Sequence, residues 1–287
     1  MQTSERQEQT HWTEIIDAKH GLFDINLREV WRYRDLLRMF VKKDYVTFYK
    51  QTILGPIWFF VQPILTMLMY MLLFGQIAKL STDGVPQMPF YLAGIIIWNY
   101  FSEALTKTST VFKDHAQVMG KVYFPRLIMP LSIVVSGLMK FGIQWALFVT
   151  VVLYYTFINP KLAPNLWVLL TPYLILLMAL LSLGLGMIFS SLTIKYKDLV
   201  FLLTFGIQLF MYMTPVVYSL NSIPPQYQWL MELNPLTGIF ECFRYAYLGV
   251  GQFSIWELTK STGIILIFFA MGTLIFNKLE KSFMDTV

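Results

Sequence analysis

The stretch Leu162–Ile194, LAPNLWVLLTPYLILLMALLSLGLGMIFSSLTI, contains no Lys, Arg, Asp or Glu. A helix needs roughly 20 apolar residues to cross the ~30 Å hydrocarbon layer of a bilayer, and this block is longer than that. Thr52–Ala78, Gly84–Ser102, Phe141–Pro160, Leu199–Met231 and Ser261–Asn277 are equally free of charge. None alternates apolar and polar residues as the strands of a membrane barrel do. Unpaired backbone cannot sit in lipid, so helices are the remaining solution. Over all 287 residues 56% are apolar and 14% charged, too few polar groups to cover a water-soluble chain. The expected fold class is all-α integral membrane.

Six transmembrane helices are expected, over about 56–78, 88–108, 128–157, 165–190, 199–218 and 256–277. Orientation follows from Lys and Arg in short loops. One side holds Arg28, Arg32, Arg34, Arg38, Lys42, Lys43 and Lys50, then Lys107, Lys113, Lys121 and Arg126, then Lys195, Lys197, Lys278 and Lys281. The other holds only Lys79, Lys161, Arg244 and Lys260. Both termini are therefore expected in the cytoplasm. Residues 222–250 decide the parity: they contain Pro224, Pro225, Glu232, Pro235, Glu241 and Arg244. A full span there would put Lys278 and Lys281 outside. A re-entrant helical pair before the last span keeps them inside, its irregular backbone lying against protein or water.

The domain reading is a cytoplasmic tail at 1–27, an amphipathic interface helix at 28–54 and a transmembrane domain at 55–287. Residues 1–50 are polar and charged, which predicts no cleaved leader. On a helical wheel Tyr33, Leu37, Phe40, Val41, Tyr45 and Phe48 share one side. Arg28, Arg32, Arg38, Lys42, Lys43 and Lys50 share the other. Such a helix lies in the interface, its apolar face in lipid and its cations toward anionic headgroups. Gly55-Pro56 separates it from the first span.

Catalytic constellations are missing. There is no phosphate-cradling G-x-x-x-x-G-K-[ST], no H-E-x-x-H and no G-x-S-x-G. His11, His20 and His115 are isolated, and Cys242 is the single cysteine. A proton-coupled carrier would bury several carboxylates, whereas here acids rarely enter the apolar blocks. The chain is therefore expected to need an outside engine.

Lys140 falls near the middle of the third span, with Gln144 one turn on. Charge at that depth costs on the order of 3 kcal/mol unless it meets a cavity or a partner. It either faces a pore, where it meets an anionic substrate or pairs with Glu103, or snorkels to the interface. Two short basic loops, 111–127 and the turn Ile194–Leu199, are ordinary positive-inside loops or docking points for a motor protein. Aromatics make up 17% of the chain, and interfacial belts account for many. Others are candidates to line a channel with their ring faces: Phe59, Tyr70 and Phe74 on the first span, Phe201, Phe205 and Tyr212 on the fifth.

From about Leu27 to its C-terminus the chain resembles the permease subunit of ABC-2 type polysaccharide exporters, the O-antigen, capsule and teichoic acid export family. Tyr49-Lys50-x3-Leu54-Gly55-Pro56-x-Trp58-x4-Pro63 resembles that family's approach to its first span. Lys121-Val122-Tyr123-Phe124-Pro125-Arg126-x3-Pro130 is similar to its cytoplasmic coupling segment. Tyr196-Lys197-Asp198-Leu199 resembles its turn before span five, with Lys197 where Arg is usual. Thr214-Pro215-Val216-x-Tyr218 resembles the outer end of that span, and Asn234-Pro235-x8-Arg244 the re-entrant region. Ala116-Gln117-Val118-Met119-Gly120 departs from the residues usual before the coupling Lys.

The resemblance implies a homodimer in the inner (plasma) membrane, bound to two copies of a separate ABC ATPase. That partner would hold the ATP and Mg, leaving this chain without cofactor, metal, nucleic acid or catalytic residues. Lys113, Lys121, Tyr123, Phe124, Pro125, Arg126, Lys197 and Asp198 would couple to it. Spans one and five of both copies would line the channel. The implied cargo is an undecaprenyl-linked glycan, whose anionic diphosphate suits Arg32, Arg38, Lys42 and Lys43 at a cytoplasmic entrance. A small hydrophobic cargo, drug or haem, is the alternative on the same architecture. A membrane-embedded transferase ranks below both.

Overall fold

The computed structural model describes residues 27–50, 55–119, 121, 124–158, 162 and 164–284. The expected tail, Leu27 excepted, lies outside these residues, as do Tyr123 and Lys161. Among the described residues every regular element is helical. Helices α1 (Leu27–Arg32) and α2 (Arg34–Lys50) precede a break at Gly55, whose φ of +52° favours glycine. A 3₁₀ turn (Gly55–Ile57) then leads into α3 (Trp58–Tyr70) and continues through a π-helical segment (Met71–Ile77). Pro63 inside α3 has no N–H to give the helix ladder, so this rod is irregular at both ends and in its middle.

Helix α4 (Gln87–Ser109) is the centre of the bundle. It packs against α3, α7 (Ile128–Ile158), α8 (Thr171–Lys195), α9 (Leu199–Tyr212) and α11 (Pro235–Leu248). Every residue from Pro89 to Trp98 is buried. Short helices α5 (Val111–Asp114) and α6 (Ala116–Met119) follow it, and α10 (Pro225–Leu233) and α12 (Ile255–Met284) complete the set.

Among the described residues four stretches are long and apolar enough to cross a membrane: Gly55–Ile77, Ile128–Ile158, Leu166–Lys195 and Ile255–Lys278. Helix α4 is long enough but carries Asn99, Ser102, Glu103 and Thr106, which neighbouring helices rather than lipid must cover. Helix α9 ends at Tyr212, short of the expected 218. Thr214 precedes Pro215, a position that disfavours helical backbone, and the chain turns back there. Residues 222–250 form two helices that meet at Asn234, whose side chain accepts from Leu236 N at 3.0 Å. Pro235 takes the first helical position, and Gly249, with φ of +71°, closes α11 in the left-handed region.

Association of helices in lipid depends on close approach, because lipid is as apolar as the helix faces themselves. Helix α8 achieves this with two glycines on opposite sides. A Cβ on Gly186 would stand 2.5 Å from Thr108 Cβ on α4, and one on Gly184 would stand 2.7 Å from Phe269 Cα on α12. Gly272 of α12 meets the Gly184 carbonyl just as tightly. Gly272→Leu is therefore expected to force α8 and α12 apart and to lower stability by about 1–3 kcal/mol or more. Gly206→Ala, where a Cβ meets nothing within 4 Å in mid-helix, should instead raise the unfolding temperature in detergent slightly, since Ala is the better helix former.

Candidate functional site

Both basic loops emerge at one end of the bundle. Thr193 Oγ1, at the end of α8, donates to Ser109 O at the end of α4 at 2.7 Å. In the loop after α4, Val111 and Phe112 are buried, and Phe112 stacks on Phe276 of α12 with centroids 5.1 Å apart. Phe124 is buried against Phe40 of α2, at 6.0 Å between ring centroids. The apolar side of this loop is thus spent on its own protein, and Lys113 and Lys121 are left exposed. Pro125 and Arg126 are half-buried just before α7, whose first residue, Ile128, donates its N–H to Pro125 O at 3.0 Å. In the second loop Tyr196, Lys197 and Asp198 are all exposed, and Lys195 sits 5.2 Å from the Tyr196 ring centroid.

The same end carries α2. Arg32, Arg38, Lys42 and Lys43 are exposed, as the wheel requires. The apolar face expected in lipid is turned onto protein at Phe40, with Tyr33, Leu36 and Leu37 packed beside it. Ser136 Oγ of α7 donates to Asp44 Oδ2 at 3.2 Å. The helix therefore touches both the loop at Phe124 and the bundle at Ser136.

Lys140 does not stand alone. Its Nζ lies 2.6 Å from Glu103 Oε2, while Lys107 Nζ lies 2.9 Å from Glu103 Oε1. One carboxylate thus serves two cations, at a side-chain exposure of 18% for Lys140. Gln144 is buried above them, and its Nε2 finds no hydrogen-bond partner among the described residues. A cavity of about 10 Å³ bordered by Asn99, Glu103, Lys140 and Gln144 is close to the size of one water. This pairing is what joins α4 to α7 electrostatically.

The aromatic candidates divide. Phe59 is buried, on the same face of α3 as Pro63 and Met67. Tyr70 and Phe74 are half-buried and meet edge to face at 5.4 Å, and Tyr70 Oη donates to Met211 Sδ of α9 at 3.4 Å. Phe201, Phe205 and Tyr212 of α9 are 79%, 58% and 56% exposed. Trp58, Phe60, Leu68 and Leu72 of the first rod are exposed as well.

The most elaborate polar cluster sits where the chain turns back after α9. Arg244 is 1% exposed and donates through Nη2 to Val216 O at 2.7 Å and through Nη1 to Tyr218 O at 2.9 Å. Its Cζ lies 3.9 Å from the Phe90 ring centroid on α4, and Glu241 Oε1 lies 3.8 Å from Nη1. Glu241 Oε2 accepts from Gln252 N at 2.8 Å. Asn234 Nδ2 donates to Met213 O and Thr214 Oγ1 at 2.9 and 2.8 Å. The two motifs Thr214-Pro215-Val216-x-Tyr218 and Asn234-Pro235-x8-Arg244 therefore clasp each other. Arg244, expected among the loop cations, is instead buried on α11 and paired with Glu241 within the fold. Spacing along α11 puts Glu241 and Arg244 on one face, which is the signal that finds them.

A profile of the ABC-2 type transporter family matches residues 35–248, most of the chain. The chain belongs to that family. Its relatives include the O-antigen export system permease protein RfbA of Klebsiella pneumoniae, 28% identical over 252 residues, which are 88% of this chain and 94% of that protein. The protein of the same name from Myxococcus xanthus is 27% identical over 221 residues, covering 76% and 82%. The inner membrane transport permease YadH of Escherichia coli K12 is 26% identical over 217 residues, covering 72% and 81%. The chain is thus a multi-helix membrane permease of the ABC-2 type, and the matched region takes in the clasp, the Glu103 cluster and both basic loops.

Replacing Arg244 by Met would strand Glu241 and the Val216 and Tyr218 carbonyls together. Breaking one side of a buried pair costs about 3–5 kcal/mol. Arg244→Met should therefore lower the unfolding temperature sharply, and adding Glu241→Gln should restore part of it, as a double-mutant cycle in detergent can measure.

Proposed function

We propose that this permease forms half of the translocation pore of an ATP-driven exporter for a lipid-linked polysaccharide, an O-antigen or similar surface glycan. One observation carries the reading. Two basic loops, the cationic face of α2 and the end of α12 gather at one end of the bundle, tied by Thr193–Ser109, Phe112–Phe276 and Phe40–Phe124. A separate ATPase docked there would move all of them through packed rings rather than through flexible chain. The sequence has no phosphate cradle, so ATP and Mg belong to that partner.

In this reading α3, α4, α7, α8, α9 and α12 are the six spans, and α10–α11 re-enter the outer leaflet. Both termini then face the cytoplasm of a cell whose inner membrane holds the protein. Coupling falls to Lys113, Lys121, Tyr123, Phe124, Pro125, Arg126, Lys197 and Asp198. Two copies meet through the open flank of α3 and α9, so that Phe201, Phe205 and Tyr212 line the path against sugar C–H faces. Arg32, Arg38, Lys42 and Lys43 receive the diphosphate of an undecaprenyl-type carrier as charge-assisted donors. The O-antigen export names of two relatives support a glycan rather than a small hydrophobic cargo.

Orientation is directly testable because the lone Cys242 is buried. Cysteines introduced singly at exposed Ser81 and Lys197 should label from opposite faces of intact cells, Ser81 from outside. Labelling of Lys197→Cys from outside ends the model of cytoplasmic coupling. The purified chain should hydrolyse no ATP unless a cognate ATPase is added. Replacing Arg32, Arg38, Lys42 and Lys43 by Gln should cut glycan export by about tenfold or more, the equivalent of a lost charge-assisted hydrogen bond. Unchanged glycan export with membrane levels intact, or export only of a small hydrophobic compound, goes against the cargo assignment.

A further inference from the structure

Helices α10 and α12 leave a groove of about 450 Å³ between them, floored by Leu233, Gly263, Ile264 and Ile267 and with Trp229 in its wall. That volume lies within the ~300–1,000 Å³ typical of ligand sites. Its walls are apolar except at the rim, where Glu232 Oε2 of α10 faces Lys260 Nζ of α12 at 3.7 Å. This separation is an ion pair but too long for a hydrogen bond. Both side chains are accessible, at 51% and 37%. One carboxylate and one ammonium make the rim a zwitterionic pair.

That pattern discriminates between lipids. An acidic headgroup or a diphosphate carrier finds one ammonium for its phosphate but nothing of its own to pair with the carboxylate beside it. A headgroup that carries a phosphate and a primary amine finds complements for both. The ammonium of Lys260 suits the phosphate, and Glu232 suits the amine, while an acyl chain covers Leu233 and Ile267. Trp229 fits the headgroup level that indoles favour. We propose that the α10–α12 groove is a specific site for a phosphoethanolamine-type phospholipid. Helix α10 needs such a brace: it is exposed at most positions, and its Met231 Sδ accepts from Tyr218 Oη at 3.5 Å. Which leaflet supplies the lipid rests on the orientation proposed above; the binding itself does not.

The test is native mass spectrometry of the full chain in detergent with phosphatidylethanolamine, phosphatidylcholine or phosphatidylglycerol of matched chains. Retention of the ethanolamine lipid should exceed that of the glycerol lipid by about tenfold, as expected for a charge-assisted hydrogen bond gained. Choline, whose quaternary nitrogen donates no hydrogen bond, should fall between. Glu232→Gln should erase the preference, whereas Lys260→Gln should weaken retention of both lipids and leave the preference in place. Gly263→Leu should expel the lipid with every charge intact, and because a Cβ at Gly263 meets nothing within 4 Å the variant should fold. Equal retention of the ethanolamine and glycerol lipids overturns the proposal. So does a preference that survives Glu232→Gln, or binding that survives Gly263→Leu. Conversion of a dimer to monomers by Gly263→Leu assigns the groove to a second copy instead. Failure of the orientation reading would appear separately, in the labelling of Ser81→Cys and Lys197→Cys.

Discussion

The buried guanidinium of Arg244 is the contact on which the shape of this permease turns. Where α9 stops, the carbonyls of Val216 and Tyr218 lose their helical donors, and neither water nor lipid is available to replace them. Arg244 supplies both donors from α11, and Glu241 and the Phe90 ring offset the cost of burying its charge. Gly94 of α4 has room only for hydrogen here, since a Cβ would run into Val216 O. The turn, the helix pair and the central helix are thus held by one side chain.

Elsewhere the bundle is held by the absence of side chains. Gly184, Gly186 and Gly272 let three helices approach within backbone contact, so that dispersion and close carbonyl packing replace a hydrophobic driving force that lipid does not provide. Helices α4, α8 and α12 form this tight part. The rod containing α3, broken by Pro63 and a π-helical segment, and helix α9 bury far less of themselves. A tightly packed block thus stands beside two loosely packed helices, which can shift without unmaking the core.

The basic loops divide their residues in the same spirit. Phe112 and Phe124 anchor inward, while Lys113, Lys121 and Lys197 point away. A buried ring fixes the loop to the bundle, and an exposed cation stays hydrated at little cost in stability. The α2 helix joins this linkage through Phe40, so motion in the loop and motion of the cationic helix are not independent.

Length and the distribution of charge sufficed to determine the all-helical membrane class, the broad positions of the helices, and the basic character of the loops. These follow from local rules: a charge-free block must bury itself in lipid, and Asn234-Pro235 must start a helix. The role of Lys140 was not legible, because a cation at mid-helix reads alike whether it faces a pore, a partner or the interface. Only the fold brings Glu103, thirty-seven residues away, to 2.6 Å. The same holds for Arg244, counted as a loop charge until tertiary packing buried it. It holds also for Phe59, whose ring character fits a channel but whose position on α3 turns it inward. Sequence sets which groups need partners. Which partner each one finds depends on helix rotation and crossing, and those are decided by packing between segments far apart in the chain.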